Sequence, residues 1–166
     1  EVKDFLTFYN FNILNYEANK IDDCFDRFIG DKSKFNEPEE EAGNQHIALY
    51  VVDLQKSAAF YRDVIGLDTI PEPFHDGKHA WFSMSEFSHV HIISRATAPT
   101  NHDKNNHLCF SVPSMDEFVS RLKKNNIQFE NWAGEKGAIQ TRVDGIKQIW
   151  FKDPDGYWIE INNDYH

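Results

Sequence analysis

The stretch QIWFKDPDGYWIEIN, Gln148 to Asn162, predicts a β-hairpin near the end of the chain. Its centre, Asp153-Pro154-Asp155-Gly156, has the composition of a tight turn, because proline fixes one backbone angle and aspartate and glycine tolerate the reversal. The flanks, 148–151 and 157–161, are aromatic and aliphatic, as is typical of paired strands. Glu160 lies in the second strand between two isoleucines. A carboxylate in that position points either to solvent or to a site that uses it.

The same layout occurs earlier in the chain. With an offset of 69 residues and no gap, Trp81 aligns with Trp150 and His91 aligns with Glu160. With an offset of 61 residues, the run HIALYV from His46 aligns with HLCFSV from His107. The chain is therefore predicted to contain one unit twice, over 46–95 and 107–162.

Each unit is predicted to have the order βαβββ, which makes the fold class α+β. Long parallel crossovers with glycine-rich phosphate turns are missing, which argues against a doubly wound fold. In the first unit we expect a strand at 46–52, a helix from Asp53 to Gly66, a short strand at 67–70 and strands at 79–84 and 88–94. In the second we expect a strand at 107–112, a helix at 115–125, a short strand near 127–132 and the terminal hairpin.

Residues 1–45 lie outside the repeat and are predicted to form an extension. Apolar residues with helical spacing predict a short amphipathic helix from about Tyr16 to Ile29. The acidic segment from Lys32 to Gly43 is typical of a solvated linker. We therefore expect an N-terminal extension followed by a domain over 46–166.

Composition excludes several classes of partner. The net charge of −10 over 166 residues argues against a nucleic-acid backbone, and there is no apolar run of membrane-spanning length. Two distant cysteines predict no disulfide framework, and Cys109 is expected to be a small buried residue of its strand. Because the first residue is Glu1, the sequence leaves the location open between the cytoplasm and export after removal of a leader.

Four side chains stand out by symmetry: His46 and His107 open the two units, and His91 and Glu160 lie in the two closing strands. If a pseudo-two-fold relates the units, these positions converge near its axis. Imidazole nitrogen and carboxylate oxygen suit one divalent ion such as Zn, Ni, Fe, Mn or Co. A single histidine that opens a strand is usually a surface residue, but the matched set favours ligands. His89 shares a face with His91, and the repeat alignment favours His91 as the inward residue.

The runs HIALYVVDLQKSAAFYRDVIGL, HLCFSV and FKDPDGYWIEIN resemble the vicinal oxygen chelate superfamily, over about 46–162. That superfamily includes glyoxalase I, bleomycin-resistance proteins, fosfomycin-resistance enzymes, methylmalonyl-CoA epimerase and extradiol dioxygenases. The resemblance implies two paired βαβββ modules that form a curved, barrel-like mixed sheet around a metal cleft. It also implies that the metal ligands are His46, His91, His107 and Glu160. The chain departs from glyoxalase I at His91, where that enzyme commonly has a glutamate.

The resemblance implies a metal-dependent lyase or isomerase of the glyoxalase type, which acts on a small oxygenated substrate through a metal-stabilised enediolate. Glu160 is the one carboxylate among the four positions and is the candidate base. One alternative is an Fe(II) extradiol-type dioxygenase with His46, His107 and Glu160 as its triad. Others are a bleomycin-resistance-like binding protein without a metal, for which Trp158 would help to line the cleft, and a degenerate structural member.

We expect a small-molecule substrate and a homodimer, and neither nucleic acid nor membrane as a partner. The sequence leaves open whether the two modules pair within one chain or across the dimer, since both arrangements occur in the superfamily.

Overall fold

The computed structural model describes residue 43 and residues 45–165. The predicted extension, with its helix at 16–29 and most of its acidic linker, lies outside them. No helix in the described part of the chain is long and apolar enough to cross a membrane.

Two βαβββ units follow one another, as the repeat predicts, so the α+β fold class is confirmed. The first comprises β1 (His46–Val51), α1 (Leu54–Ala59), a π-helical continuation (Phe60–Ile65), β2 (Asp68–Ile70), β3 (His79–Ser83) and β4 (His89–Ser94). The second comprises β5 (His107–Ser111), α2 (Met115–Lys124), β6 (Gln140–Thr141), β7 (Lys147–Lys152) and β8 (Trp158–Asn162).

The strands form two four-stranded mixed sheets with equivalent orders, β1-β4-β3-β2 and β5-β8-β7-β6. In each, the first strand pairs parallel with the last, and the last two strands form an antiparallel hairpin. Trp81 faces His91 across the first hairpin and Trp150 faces Glu160 across the second, which reproduces the 69-residue offset in space. The described strands form two separate sheets and do not close into a barrel.

One apolar cluster serves both units. Because side chains alternate along a strand, Leu49, Phe82 and Ile92 of the first sheet enter this cluster, as do Ile149 and Ile159 of the second. The opposite face of each sheet is left for the polar and aromatic residues at 46, 79, 81, 89 and 91 and at 107, 148, 150, 158 and 160.

Polar caps fix the helices that cover the core. The Asp53 carboxylate accepts a hydrogen bond from the Lys56 amide at the start of α1, and the Ser114 hydroxyl accepts one from the Glu117 amide at the start of α2. Gly66 ends the first helical segment with a φ of +94°, a backbone region in which glycine carries no steric penalty.

The expected short strand at 127–132 is wrong. Within that range Glu130 forms isolated bridges to Lys136 and Trp150, and the strand that pairs with β7 is the two-residue β6 at Gln140–Thr141. The physical reason is the turn at 131–138. It reverses the chain after Glu130, and the residues that follow it, Gln140 and Thr141, are the ones in register with the start of β7.

The DPDG turn joins the two units in addition to reversing the chain. Both Asp155 carboxylate oxygens accept bonds from the first unit, from the Val52 amide and the Ser57 hydroxyl, each at 2.7 Å. The Asp153 carboxylate accepts a bond from the Tyr61 hydroxyl at 2.9 Å. Both aspartates are buried, and a buried carboxylate is stable only when it is hydrogen-bonded in this way.

Candidate metal centre

The second sheet brings His107 and Glu160 together. They lie on adjacent strands, β5 and β8, and the His107 Nε2 atom is 3.1 Å from Glu160 Oε2. The other ring nitrogen of His107, Nδ1, is 2.8 Å from the Lys104 carbonyl oxygen. Since a carbonyl only accepts, Nδ1 carries a proton, and Nε2 is the nitrogen that faces the carboxylate.

An imidazole nitrogen and a carboxylate oxygen at this distance are joined either by a proton on the nitrogen or by a metal ion that binds both. Ligand atoms about 2.1 Å from one metal ion and separated by 90–110° lie roughly 3.0–3.4 Å apart, and the observed separation of 3.1 Å falls in that interval. Histidines that bind metals usually donate the opposite ring N–H to a carbonyl or carboxylate, as His107 does. This donor pair therefore fits a divalent ion.

The second oxygen of Glu160 is held by its neighbours. Glu160 Oε1 accepts hydrogen bonds from Gln148 Nε2 at 2.6 Å and from Asn162 Nδ2 at 3.3 Å, and Cys109 Sγ is 3.4 Å away. These contacts fix the carboxylate so that Oε2 is the oxygen directed at His107.

Cys109 is not buried, contrary to expectation. It lies on β5, which is an edge strand, and the residue is exposed to solvent. Protein nevertheless surrounds the thiol on the side of the sheet, so desolvation, followed by the charge of Glu160, raises the pKa of Cys109 to about 12. Cys109 is thus a neutral thiol that faces the Glu160 carboxylate.

On the first sheet, His46 and His91 lie with their ring centroids 5.7 Å apart. The His46 Nδ1 atom is hydrogen-bonded to the Gln45 side-chain oxygen. His46, like His107, therefore has Nε2 as the nitrogen available to a metal ion. Partial burial, followed by the neighbouring His79 and His46, lowers the pKa of His91 below its ordinary value of 6.5. At neutral pH His91 is therefore a neutral imidazole with one lone pair available.

His91, rather than His89, is the more buried residue of the pair on β4. Its ring stacks on Trp81 at 4.0 Å and 15°, and its Nε2 atom is 2.7 Å from His79 Nδ1. Sequence reasoning missed His79 as a site residue, and it missed Gln148, the contact of Glu160. Both lie two residues before the tryptophan of their strand, and this alternation was the available signal.

Trp158, the predicted wall of the cleft, shares the face of Glu160 and is half-buried. Two ammonium groups lie over its ring, Lys104 Nζ at 4.7 Å and Lys152 Nζ at 4.9 Å. Trp81 and Phe82 point to opposite faces, as expected, and Phe82 is the one in the core. Arg62 and Arg142 pair with the neighbouring Asp63 and Asp144 at the surface.

The four predicted ligands are thus arranged as two pairs, one on each sheet. In the part of the chain that the structure describes, no three His, Cys, Asp or Glu side chains are placed to hold one metal ion. The quartet of His46, His91, His107 and Glu160 stays a prediction, and each sheet carries one half of it.

Comparison with protein families gives a match over residues 43–161 to the Glyoxalase/Bleomycin resistance protein/Dioxygenase superfamily. The chain belongs to this superfamily. It is 29% identical over 142 residues to Glyoxylase I 4 of Arabidopsis thaliana, across 75% of this chain and 76% of that protein. It is 27% identical over 149 residues to the lactoylglutathione lyase of Pseudomonas putida, across 70% of this chain and 82% of that one.

A solved glyoxalase/dioxygenase from Nostoc punctiforme has the same glyoxalase fold. It superposes with a TM-score of 0.63 at 25% sequence identity, over 82% of this chain and all of that one. The glyoxalase relatives include enzymes, and members of the superfamily use divalent metal ions. At these identities the family and the fold are established.

Proposed function

We propose that the protein is a metal-dependent lyase or isomerase of the glyoxalase type that acts on a small oxygenated substrate. The observation that carries this proposal is the pair of His107 Nε2 and Glu160 Oε2, which lie 3.1 Å apart, a separation that two ligands of one metal ion would have. The metal would be held by His46, His91, His107 and Glu160, and its identity is open among Zn, Ni, Mn, Co and Fe. When bound, such an ion stabilises negative charge that develops on a substrate oxygen.

Glu160 is proposed to move the proton. Its Oε1 atom is held by Gln148 and Asn162, so Oε2, which is directed into the site, is the oxygen that would take a proton from a carbon beside a carbonyl and return it to the neighbouring carbon. The carboxylate is buried, which keeps bulk water from competing for that proton. Trp81 and Trp158 supply aromatic walls on the two sheet faces.

The arrangement of the pairs supports a homodimer with shared sites. Each sheet offers two of the four ligands, and β1 and β5, which carry His46 and His107, are the edge strands of their sheets. An unpaired edge is open to a strand of another chain. We propose that His46 and His91 of one copy meet His107 and Glu160 of its partner.

The function is tested with Glu160→Gln, which keeps an oxygen ligand and the shape of the side chain but removes the base. Turnover of the hemithioacetal of methylglyoxal and glutathione, or of an epimerisable thioester, should fall by about 10²–10⁴-fold. Unchanged turnover by this variant would refute the role of Glu160. Turnover of a catechol with Fe(II) instead would replace the proposal by the dioxygenase.

The shared site is tested by complementation. Chains with His46→Ala and His91→Ala are co-expressed with chains that carry His107→Ala and Glu160→Ala. In a two-fold dimer with shared sites, each heterodimer has one site with all four ligands, so equal mixing restores about one metal ion per four chains. No recovery would show that each site lies within one chain.

A further inference from the structure

Equivalent residues contact the closing-strand ligand in both sheets. His79 and Gln148 align under the 69-residue offset of the repeat. His79 Nδ1 lies 2.7 Å from His91 Nε2, and Gln148 Nε2 donates to Glu160 Oε1 at 2.6 Å. The fold thus uses the same position twice to hold one end of a candidate ligand.

The contact between the two histidines needs one donor and one acceptor, and a third group decides which is which. The Asp76 Oδ2 atom lies 3.6 Å from His79 Nε2. This is too long for a hydrogen bond, but the carboxylate attracts an N–H and repels a lone pair. The Lys78 backbone amide, the largest cause, and the Lys78 side chain lower the pKa of Asp76, so the carboxylate is charged at neutral pH. A neutral His79 therefore carries its proton on Nε2 and accepts through Nδ1.

We propose that Asp76, His79 and His91 form a relay that holds His91 as its Nε2–H tautomer and leaves Nδ1 as the ring nitrogen available to a metal ion. His79 is a positioning residue in this relay, because it acts through His91. The part that concerns the metal rests on the proposed function, whereas the tautomer of His91 does not.

Because Trp81 holds the His91 ring in one plane, the hydrogen bond to His79 decides which ring nitrogen of His91 faces His79. The His91 ring lies flat on Trp81, with centroids 4.0 Å apart and planes 15° apart. A ring confined to this plane retains a choice of which nitrogen it turns toward His79, and neutral imidazole has one donor and one acceptor nitrogen. The proton on His91 Nε2 settles that choice.

The relay makes the two half-sites unlike each other. His46 and His107 donate through Nδ1, to the Gln45 side chain and the Lys104 carbonyl, and so present Nε2. His91 is predicted to present Nδ1. Opposite tautomers for His91 and His107 in one protein are a specific consequence that a purely structural contact at His79 does not require.

The first test is NMR of the metal-free protein labelled with ¹⁵N-histidine, in which long-range ¹⁵N–¹H correlations report the tautomer of each ring. We expect Nε2–H for His91 and Nδ1–H for His107. His79→Ala should release His91 into a mixture of tautomers. His79→Gln should retain Nε2–H, because the amide oxygen replaces the acceptor, as Gln148 occupies the equivalent position in the second unit. Nδ1–H at His91 in the parent, or an unchanged His91 in His79→Ala, would overturn the relay.

The second test is a titration of the purified protein with Zn²⁺ or Co²⁺. Loss of a partner that orients a metal-binding histidine typically weakens metal affinity by about 10–100-fold, and we expect that loss in His79→Ala and recovery in His79→Gln. His89→Ala is the control, since His89 shares the face but has no hydrogen bond to His79 or His91. Equal affinity of the parent and His79→Ala would overturn the role toward the metal. If the parent binds no metal, the proposed function fails, while the NMR result still decides the relay.

Discussion

Gly156→Ala should destabilise the protein through a contact far away in sequence. Gly156 ends the DPDG turn with a φ of +93°, and a Cβ atom there would lie 2.2 Å from the Thr100 carbonyl oxygen. Ordinary contact begins at 3.4 Å, so the linker that carries Thr100 has to move by roughly 1 Å in a closely packed region. That movement disrupts the 3.0 Å bond from the Thr100 amide to the Asp155 carbonyl.

The magnitude follows from two costs. A residue with a Cβ in the left-handed region loses about 1–2 kcal/mol, and the broken backbone bond about 0.5–1.5 kcal/mol. The free energy of unfolding should therefore fall by about 2–3 kcal/mol, a fall in Tm of about 4–12 °C for a chain of this length. Urea unfolding followed by circular dichroism gives this value directly.

Gly145→Ala is the matched control. Its φ is +90°, but no atom lies within 4 Å of the position of its Cβ, so it bears the backbone cost alone. We expect Gly156→Ala to exceed it by about 1 kcal/mol or more. Equal losses in the two variants would refute the argument that the turn and the linker are in close contact.

Three further predictions concern the same turn and the candidate site. Asp155→Asn should lower the free energy of unfolding by about 1.5–3 kcal/mol, because a charged acceptor of two buried bonds is lost; a urea midpoint equal to that of the parent would contradict this. Burial, the largest cause, raises the pKa of Asp153 above 3.8. The stability that this shift contributes is therefore fully present below pH 3.8 and is lost as pH rises through the folded-state pKa. Urea midpoints between pH 3 and 6 should show this loss in the parent and not in Asp153→Asn. Cys109, despite its exposure, should react with iodoacetamide at pH 8 on the order of a thousand times more slowly than an ordinary thiol, as peptide mass spectrometry with the unfolded protein as reference will show; equal rates in the two states would contradict the raised pKa.

Much of the fold followed from one property of the sequence, its internal repeat. The offset of 69 residues that aligned His91 with Glu160 is reproduced in the strand registers, where Trp81 and Trp150 face those two residues. Alternation along each strand then separated Phe82, in the core, from Trp81. Periodicity and repetition are local patterns, and they are sufficient to define the strands and the order within each unit.

The missed features depend on long-range geometry. Alternation shows that β5 has two faces, but it does not show which face the rest of the protein covers. Cys109 was therefore predicted to be buried, whereas it is exposed. His79 and Gln148 become site residues through the register of their hairpins, which the sequence does not state. The carboxylates of the DPDG turn bind Val52, Ser57 and Tyr61 of the other unit, contacts that no local pattern indicates.

The loop at 131–138 shows the same limit at an edge. Local propensity placed a strand at 127–132, whereas pairing with β7 selected Gln140 and Thr141. Strand partners at an edge are decided by where the preceding turn returns the chain, and here that turn contains Gly134 and Gly137 in left-handed conformations.

The metal content of the purified protein distinguishes a metal centre from a metal-free cleft. Protein prepared without chelator or a metal-carrying tag is incubated in turn with Ni, Zn, Mn, Co and Fe(II), and is analysed beside a variant with His107→Ala and Glu160→Ala. We expect a stoichiometric ion in the parent and none in the variant. A parent that binds none of these metals would contradict the metal centre and favour a metal-free ligand-binding protein.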